Sequence, residues 1–256
     1  MKKNILVAFA ILLLVNAKVL AQSPRITNNQ TNTWYMYMGN HKLNDKWELH
    51  TLYHFRRTDI GQDWQQSLAR IGLNYHLVPG VVASAGADWV VSYPYGKQPI
   101  ACNTTEYTAW EALFYRHQVV RLSFMHRYRL EQRFIEKDSY DSAAGEWQKT
   151  GTTYKDRFRY MLSVDMPLNN PKMQDKTWFI SANDEIFIGM GKNQGKNLLE
   201  QNRIYTALGY RFNKDFNLQL GYMNQKLIKA DAIHAENNHT LMFGAVYNLD
   251  FTHKKA

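Results

Sequence analysis

His126-Arg127-Tyr128-Arg129-Leu130-Glu131-Gln132-Arg133-Phe134 alternates without a break. Arg127, Arg129, Glu131 and Arg133 hold every second position, with Tyr128, Leu130, Gln132 and Phe134 between them. Successive strand side chains point to opposite faces, so one face is charged and the other mostly apolar. A helix recurs every three to four positions and would mix the two sets. The fold turns on whether the apolar face meets a protein core or lipid.

The same alternation runs outward from this stretch to both ends. Trp47, Leu49, Thr51, Tyr53 and Phe55 oppose Glu48, His50, His54 and Arg56. Ala83, Ala85, Ala87, Trp89 and Val91 oppose Ser84, Gly86 and Asp88. Phe158, Tyr160 and Leu162 oppose Arg157 and Arg159, and Ile204, Leu208 and Tyr210 oppose Arg203 and Arg211. About 11 such segments begin near residues 32, 46, 64, 81, 105, 119, 154, 177, 199, 215 and 238. Most span about 10 to 14 residues, beyond the roughly 5 to 6 of a soluble strand and enough for the roughly 9 to 11 of a membrane strand. Glu106 to Tyr115 mixes its faces, and Asp184 falls among apolar neighbours.

Val78-Pro79-Gly80, His117-Gln118 and Asn213-Lys214-Asp215 read as tight turns. Pro94–Thr104, Ile135–Thr153, Gly189–Asn197 and Ile228–Asn237 read as longer polar links. Short turns on one rim and long loops on the other is the membrane-barrel pattern. Trp47, Phe55, Phe134, Tyr154, Trp178, Phe212 and Phe216 stand near strand ends, where an interface favours aromatic rings. Arg takes strand positions while Lys falls in turns, as at Lys42, Lys97, Lys192, Lys196 and Lys214. Arg suits a confined lumen, where its planar fork bridges carboxylates such as Glu131, Asp165 and Glu185. The expected fold is all-β, an antiparallel transmembrane barrel of about 10 to 12 strands. Even strand numbers are usual in bacterial barrels, so either a further short strand near Arg25–Asn32 makes 12, the favoured count, or one segment lies outside the wall.

The ends fix the expected compartment. Lys2 and Lys3, the uncharged run Ile5–Val15, and Val19 and Ala21 form a secretory signal peptide over 1–21. Residues 22–256 then form the outer-membrane barrel. Of 31 basic residues, removing Lys2, Lys3 and Lys18 leaves 28 against 22 acidic ones, a net +6. The charges are dispersed, and an exported chain rarely meets nucleic acid, so the excess points to small anionic solutes. Cys102 is the one cysteine, so pairing and burial must hold the fold without an intramolecular disulfide.

No His-Glu-x-x-His or phosphate-cradling glycine loop is present, so no metal or cofactor is expected. His50 and His54 share a face about 13 Å apart, too far to share an ion directly. Ser123 and His126 fall on opposite faces, and no catalytic residue is assigned. Arg127, Arg129, Glu131, Arg133, Arg157, Arg159, Glu185, Arg203 and Arg211 are the expected lumen charge network. Such a network either rigidifies the wall or forms an anion-attracting constriction. Gly244, Tyr247, Leu249 and Phe251 resemble the closing-strand signal read by barrel-assembly machinery, which with outer-membrane lipid is an expected partner.

The chain resembles a family of Gram-negative outer-membrane β-barrels catalogued as domain of unknown function 2490. The resemblance rests on His126 through Phe134, Asn183-Asp184-Glu185, Gln201-Asn202-Arg203, Gly209 through Phe212, and Asn217 through Tyr222. It implies a fold and a location without an activity. The expected function is an outer-membrane barrel, a small pore or passive transporter with an Arg/Glu lumen. The alternatives are an outer-membrane lipid-modifying enzyme and a soluble periplasmic lipocalin-like carrier.

Overall fold

The computed structural model describes residues 25–252, apart from 60 and 98. The signal-peptide assignment lies outside those residues. Eleven strands close a barrel: β1 (Ile26–Lys42), β2 (Trp47–Thr58), β3 (Trp64–Val78), β4 (Val81–Ser92), β5 (Thr104–Val119), β6 (Leu122–Asp141), β7 (Glu146–Pro167), β8 (Thr177–Met190), β9 (Leu199–Arg211), β10 (Phe216–Ile228) and β11 (His234–Tyr247). Each pairs antiparallel with its sequence neighbours.

The twelfth strand expected near Arg25–Asn32 does not exist as a separate element. Those residues open the 17-residue β1 instead. Eleven alternating strands leave β1 and β11 running the same way, so they close the barrel as a parallel pair, Ile26 opposite His234 through Met38 opposite Val246. The seam continues past β11, where the Lys42 amide donates to Leu249 O (2.8 Å) and the Phe251 amide to Lys42 O (2.9 Å). Closure removes the free edges that would otherwise template aggregation.

The rims differ from the expected sorting in two places. Ile135–Thr153 is no loop: β6 and β7 pair throughout it and turn at residues 142–145, where Gly145 takes a left-handed φ of 71°. The β7 arm carries Trp147, Thr150, Thr152 and Thr153 and the β6 arm Ile135 and Tyr140, residue types that favour strands even where neither face is apolar. His117-Gln118 lies within β5, and residues 120–121 make the turn. The link at 168–176 is long yet sits on the short-turn rim. Arg121 Nη2 pins it by donating to the carbonyls of Pro167 (2.7 Å), Leu168 (3.2 Å) and Asn170 (3.1 Å).

The apolar stripes face outward. Ile71, Leu73, Leu130, Ile204, Leu208 and Leu220 are all exposed on the wall. Aromatic pairs flank that band on the short-turn side: Trp47–Tyr75 (4.7 Å), Trp178–Tyr210 (4.9 Å) and Phe212–Phe216 (5.1 Å). Phe55–Trp64 (4.6 Å) and Phe134–Tyr154 (5.3 Å) flank it on the other side. An apolar band between two aromatic girdles is how a barrel wall meets a bilayer.

Candidate functional site: the filled lumen

β6 sends Arg127, Arg129, Glu131 and Arg133 inward, while Leu130 and Phe134 remain 46% and 43% exposed outside. β7 adds Arg157 and Arg159, β8 adds Glu185, and β9 adds Arg203. Glu131, 1% exposed, is the hub: Arg159 Nη1 lies 2.6 Å from Oε1 and Arg157 Nη2 2.6 Å from Oε2. Glu185 accepts from Arg127 (2.5 Å) and Arg159 (2.7 Å). Arg133 grips Glu106 through Nε and Nη2, both at 2.7 Å, and reaches Glu200 at 3.4 Å. Charge-assisted forks of this kind fix geometry as well as contributing energy.

One member of the expected network, Arg211, departs from it, and Asp165, expected to be bridged by Arg, does so too. Arg211 sits at the short-turn rim, donating to the Asn213 carbonyl (3.2 Å). It stands at the end of β9, too near its turn to reach the central carboxylates. Asp165 faces inward opposite Ser181 and forms no ion pair with Arg among the described residues. Of the closing-strand residues, Gly244 and Tyr247 lie in β11 and Leu249 and Phe251 in the tail beside β1.

Sequence reasoning missed several partners. Arg70 and Asp88, directly opposite on β3 and β4, form a bidentate pair at 2.6 Å in both arms. Glu106 turns in while Glu111, five residues on, turns out and accepts from Gln132 (3.2 Å). The bulge between Phe187 and Ile188 leaves Glu200 as the extra residue of β9 and turns it towards Arg133 and Arg157. A second bulge inserts Gln65 in β3, where it accepts from Trp34 Nε1 (2.6 Å). Charge sign was readable at these positions, but register and bulges were not.

Aromatic rings fill the space between the charges. Trp34, Trp110 and Phe187 point inward and are each 1% exposed. Arg56 lies 3.9 Å over Trp34, Arg129 4.4 Å over Trp110, and Arg159 4.2 Å over Phe187. Arg203 lies over both Phe187 (4.8 Å) and Trp34 (5.3 Å). Cation–π contacts stabilise a desolvated guanidinium without neutralising it. Arg56 and Arg203 form no ion pair among the described residues, and Arg129 meets its one carboxylate, Glu131, only at 3.8 Å. Arg56 Nε, Arg127 Nε, and Arg129 Nε and Nη1 are buried without a hydrogen-bond partner. His50 and His54 also face this interior, His50 Nδ1 against Asn40 Oδ1 (2.8 Å) and His54 edge-on to Trp34 (5.8 Å).

The β4–β5 link, residues 93–103, folds over the loop-side end. Tyr95 donates its hydroxyl to Glu236 Oε2 (2.8 Å), and Glu236 pairs with Lys229 (2.5 Å). Burial and the neighbouring carboxylate push the Tyr95 hydroxyl above the ordinary tyrosine range. Beneath it Asn32, Asn238 and Thr240 are 0% exposed. Among the described residues, no three His, Cys, Asp or Glu side chains gather as a metal ion would require.

The model of a family described as "Protein of unknown function (DUF2490)" matches residues 31–235. No curated protein matches the chain. A solved porin, "NanC porin structure in rhombohedral crystal form", is similar in fold, with a TM-score of 0.50 and 12% identity over 85% of this chain and 98% of that one. At that identity the likeness carries the barrel architecture alone.

Proposed function

We propose, from the premise that the chain belongs to the family described as protein of unknown function (DUF2490), that it is an integral outer-membrane barrel, closed at rest, whose interior favours small anions. The apolar band between aromatic girdles supports a membrane location. The carrying observation is the charge balance of the central network. Arg56, Arg70, Arg127, Arg129, Arg133, Arg157, Arg159 and Arg203 face Asp88, Glu106, Glu131, Glu185 and Glu200, eight cations against five anions, an excess of three. Buried, uncompensated guanidinium groups with orphaned N–H donors attract anions and repel cations. Trp34, Trp110 and Phe187 support the closed resting state, because rings this buried leave no water column beside them.

Outer-membrane insertion is tested by heat-modifiable migration and resistance to carbonate extraction. Selectivity is tested in planar bilayers under a salt gradient. The expected result is a small, infrequent conductance whose reversal potential has the sign of anion preference. Folded, heat-modifiable protein that never conducts would remove the pore and leave a sealed structural barrel. No catalytic role is assigned, since Ser123 and His126 lie on opposite faces of β6. New products from phospholipid or lipopolysaccharide would reverse that.

A further inference from the structure

A second site lies outside the lumen, at the loop-side rim. Asp59 and Asp63 of the β2–β3 link, Tyr93 to Lys97 of the β4–β5 link and Asn29 to Thr31 of β1 line an open cleft of about 660 Å³. That volume lies within the roughly 300–1,000 Å³ of small-molecule sites. Trp64 and Tyr93, with ring centroids 5.3 Å apart, form an aromatic wall. Asn29, Gln30, Asp59 and Asp63 supply amide and carboxylate groups. Gly96 holds the β4–β5 link against β1 with a left-handed φ of 67°, and a Cβ there would meet Gln30 at 2.1 Å.

The polar groups of the cleft are not used up by the fold. Gln30 Nε2 is buried without a hydrogen-bond partner. The carboxylates of Asp59 and Asp63 make no ion pair or side-chain hydrogen bond among the described residues. The Trp64 indole N–H has no partner among them either. A stranded donor and two carboxylate acceptors in the lining of one cleft fit a ligand that both donates and accepts. Asp59 and Asp63 are balanced by Lys97 in the lining and by Arg57, 4.7 Å over the Trp64 ring, so the cleft has no net charge to select an ion, and the aromatic wall suits an apolar C–H face. We propose that this cleft binds a neutral, hydroxyl-rich saccharide, its ring against Trp64 and Tyr93 and its hydroxyls on Gln30 and Asp63. The sugar can come free from solution or as the headgroup of a membrane glycolipid. This site stands whether or not the barrel conducts.

The test uses folded full-length protein in a detergent without a sugar headgroup. Saturation-transfer NMR is recorded with maltose and with cellobiose. A second arm reconstitutes the protein in phosphatidylcholine vesicles with and without a neutral galactosyl diglyceride. Saturation of sugar C–H protons is expected in the first arm for a free ligand, or co-purification of the galactosyl diglyceride with the re-extracted protein in the second for a headgroup. Trp64→Ala and Asp63→Asn should each weaken the binding at least tenfold, while Trp147→Ala, at the remote tip of the β6–β7 hairpin, should leave it unchanged. If Trp64→Ala fails to fold, Asp63→Asn alone decides. Absence of binding in both arms, equal binding by Asp63→Asn, or displacement of the sugar by inorganic phosphate would overturn the proposal.

Discussion

Gly86 lies directly under the indole of Trp110: a Cβ at Gly86 would stand 2.6 Å from the ring. The two are register partners on β4 and β5, and Gly72, opposite Gly86 on β3, leaves the same gap at 2.7 Å. Two facing glycines thus make the hollow that lets a large ring lie flat inside a narrow barrel. Gly86→Val should force the indole out and cost about 1–3 kcal/mol as an overpacked core does. Urea unfolding in lipid vesicles reads this directly. An unchanged midpoint would mean the ring has room elsewhere.

Glu131 holds Arg157 and Arg159 from one carboxyl group, both at 2.6 Å. Removing one member of a buried ionic cluster leaves charge uncompensated and costs about 3–5 kcal/mol. Glu131→Gln should therefore destabilise strongly, and adding Arg157→Met should recover part of the loss. A double-mutant cycle on unfolding free energies checks this, and simple additivity would place the two residues in separate networks.

Much of this was legible because alternation is a one-dimensional signal. The inward row from Arg127 to Arg133 and the outward Leu130 and Phe134 follow from parity along one strand. All 11 wall segments were legible for the same reason. What parity cannot supply is the relation between strands. Arg70 opposite Asp88 depends on register, Glu200 turns inward only through a bulge, and the parallel seam depends on how the sheet closes. The hairpin arms at 135–153 read as a loop because strands that are polar on both faces carry no one-sided apolar pattern. Trp34, Trp110 and Phe187 were not singled out, because Glu106 to Tyr115 mixes its faces and nothing in the sequence alone distinguishes a ring that fills a lumen from one that lines it.

The buried inward rings make a conductance prediction for the proposed closed barrel. Trp110→Ala with Phe187→Ala removes two rings that are each 1% exposed. The double variant should show a larger and more frequent single-channel current than wild type, while keeping anion preference. Arg127→Ser and Arg129→Ser in that opened background should move the reversal potential towards zero. An opened barrel with no preference would assign the arginines to wall rigidity alone.

Tyr95 latches the β4–β5 link onto Glu236, and Cys102 lies on the same link at intermediate exposure. Tyr95→Phe removes the hydrogen bond and keeps the ring. The rate of Cys102 labelling by a maleimide should rise about tenfold or more in that variant, since a neutral donor to a carboxylate contributes about 1.5–3 kcal/mol. Equal rates would show that backbone contacts, such as the Tyr93 amide on Gln65 O (3.0 Å), hold the link without the latch.

Glu111 breaks the apolar wall between Ala109 and Leu113 on β5, where its carboxylate accepts from Gln132 Nε2 at 3.2 Å. Asp184 does the same on β8, accepting from Asn202 at 2.6 Å. A carboxylate facing hydrocarbon is costly, and one amide donor offsets only part of its desolvation. Glu111→Leu should therefore stabilise the barrel in lipid vesicles, by about 1–2 kcal/mol given that acidic residues cost less than the roughly 2–4 kcal/mol of Arg or Lys at midplane. In detergent, where water reaches the wall more easily, the gain should shrink. Destabilisation in both media would show that Glu111 has a structural partner in the membrane, and a second copy or a lipid headgroup would then be sought by cross-linking from that position.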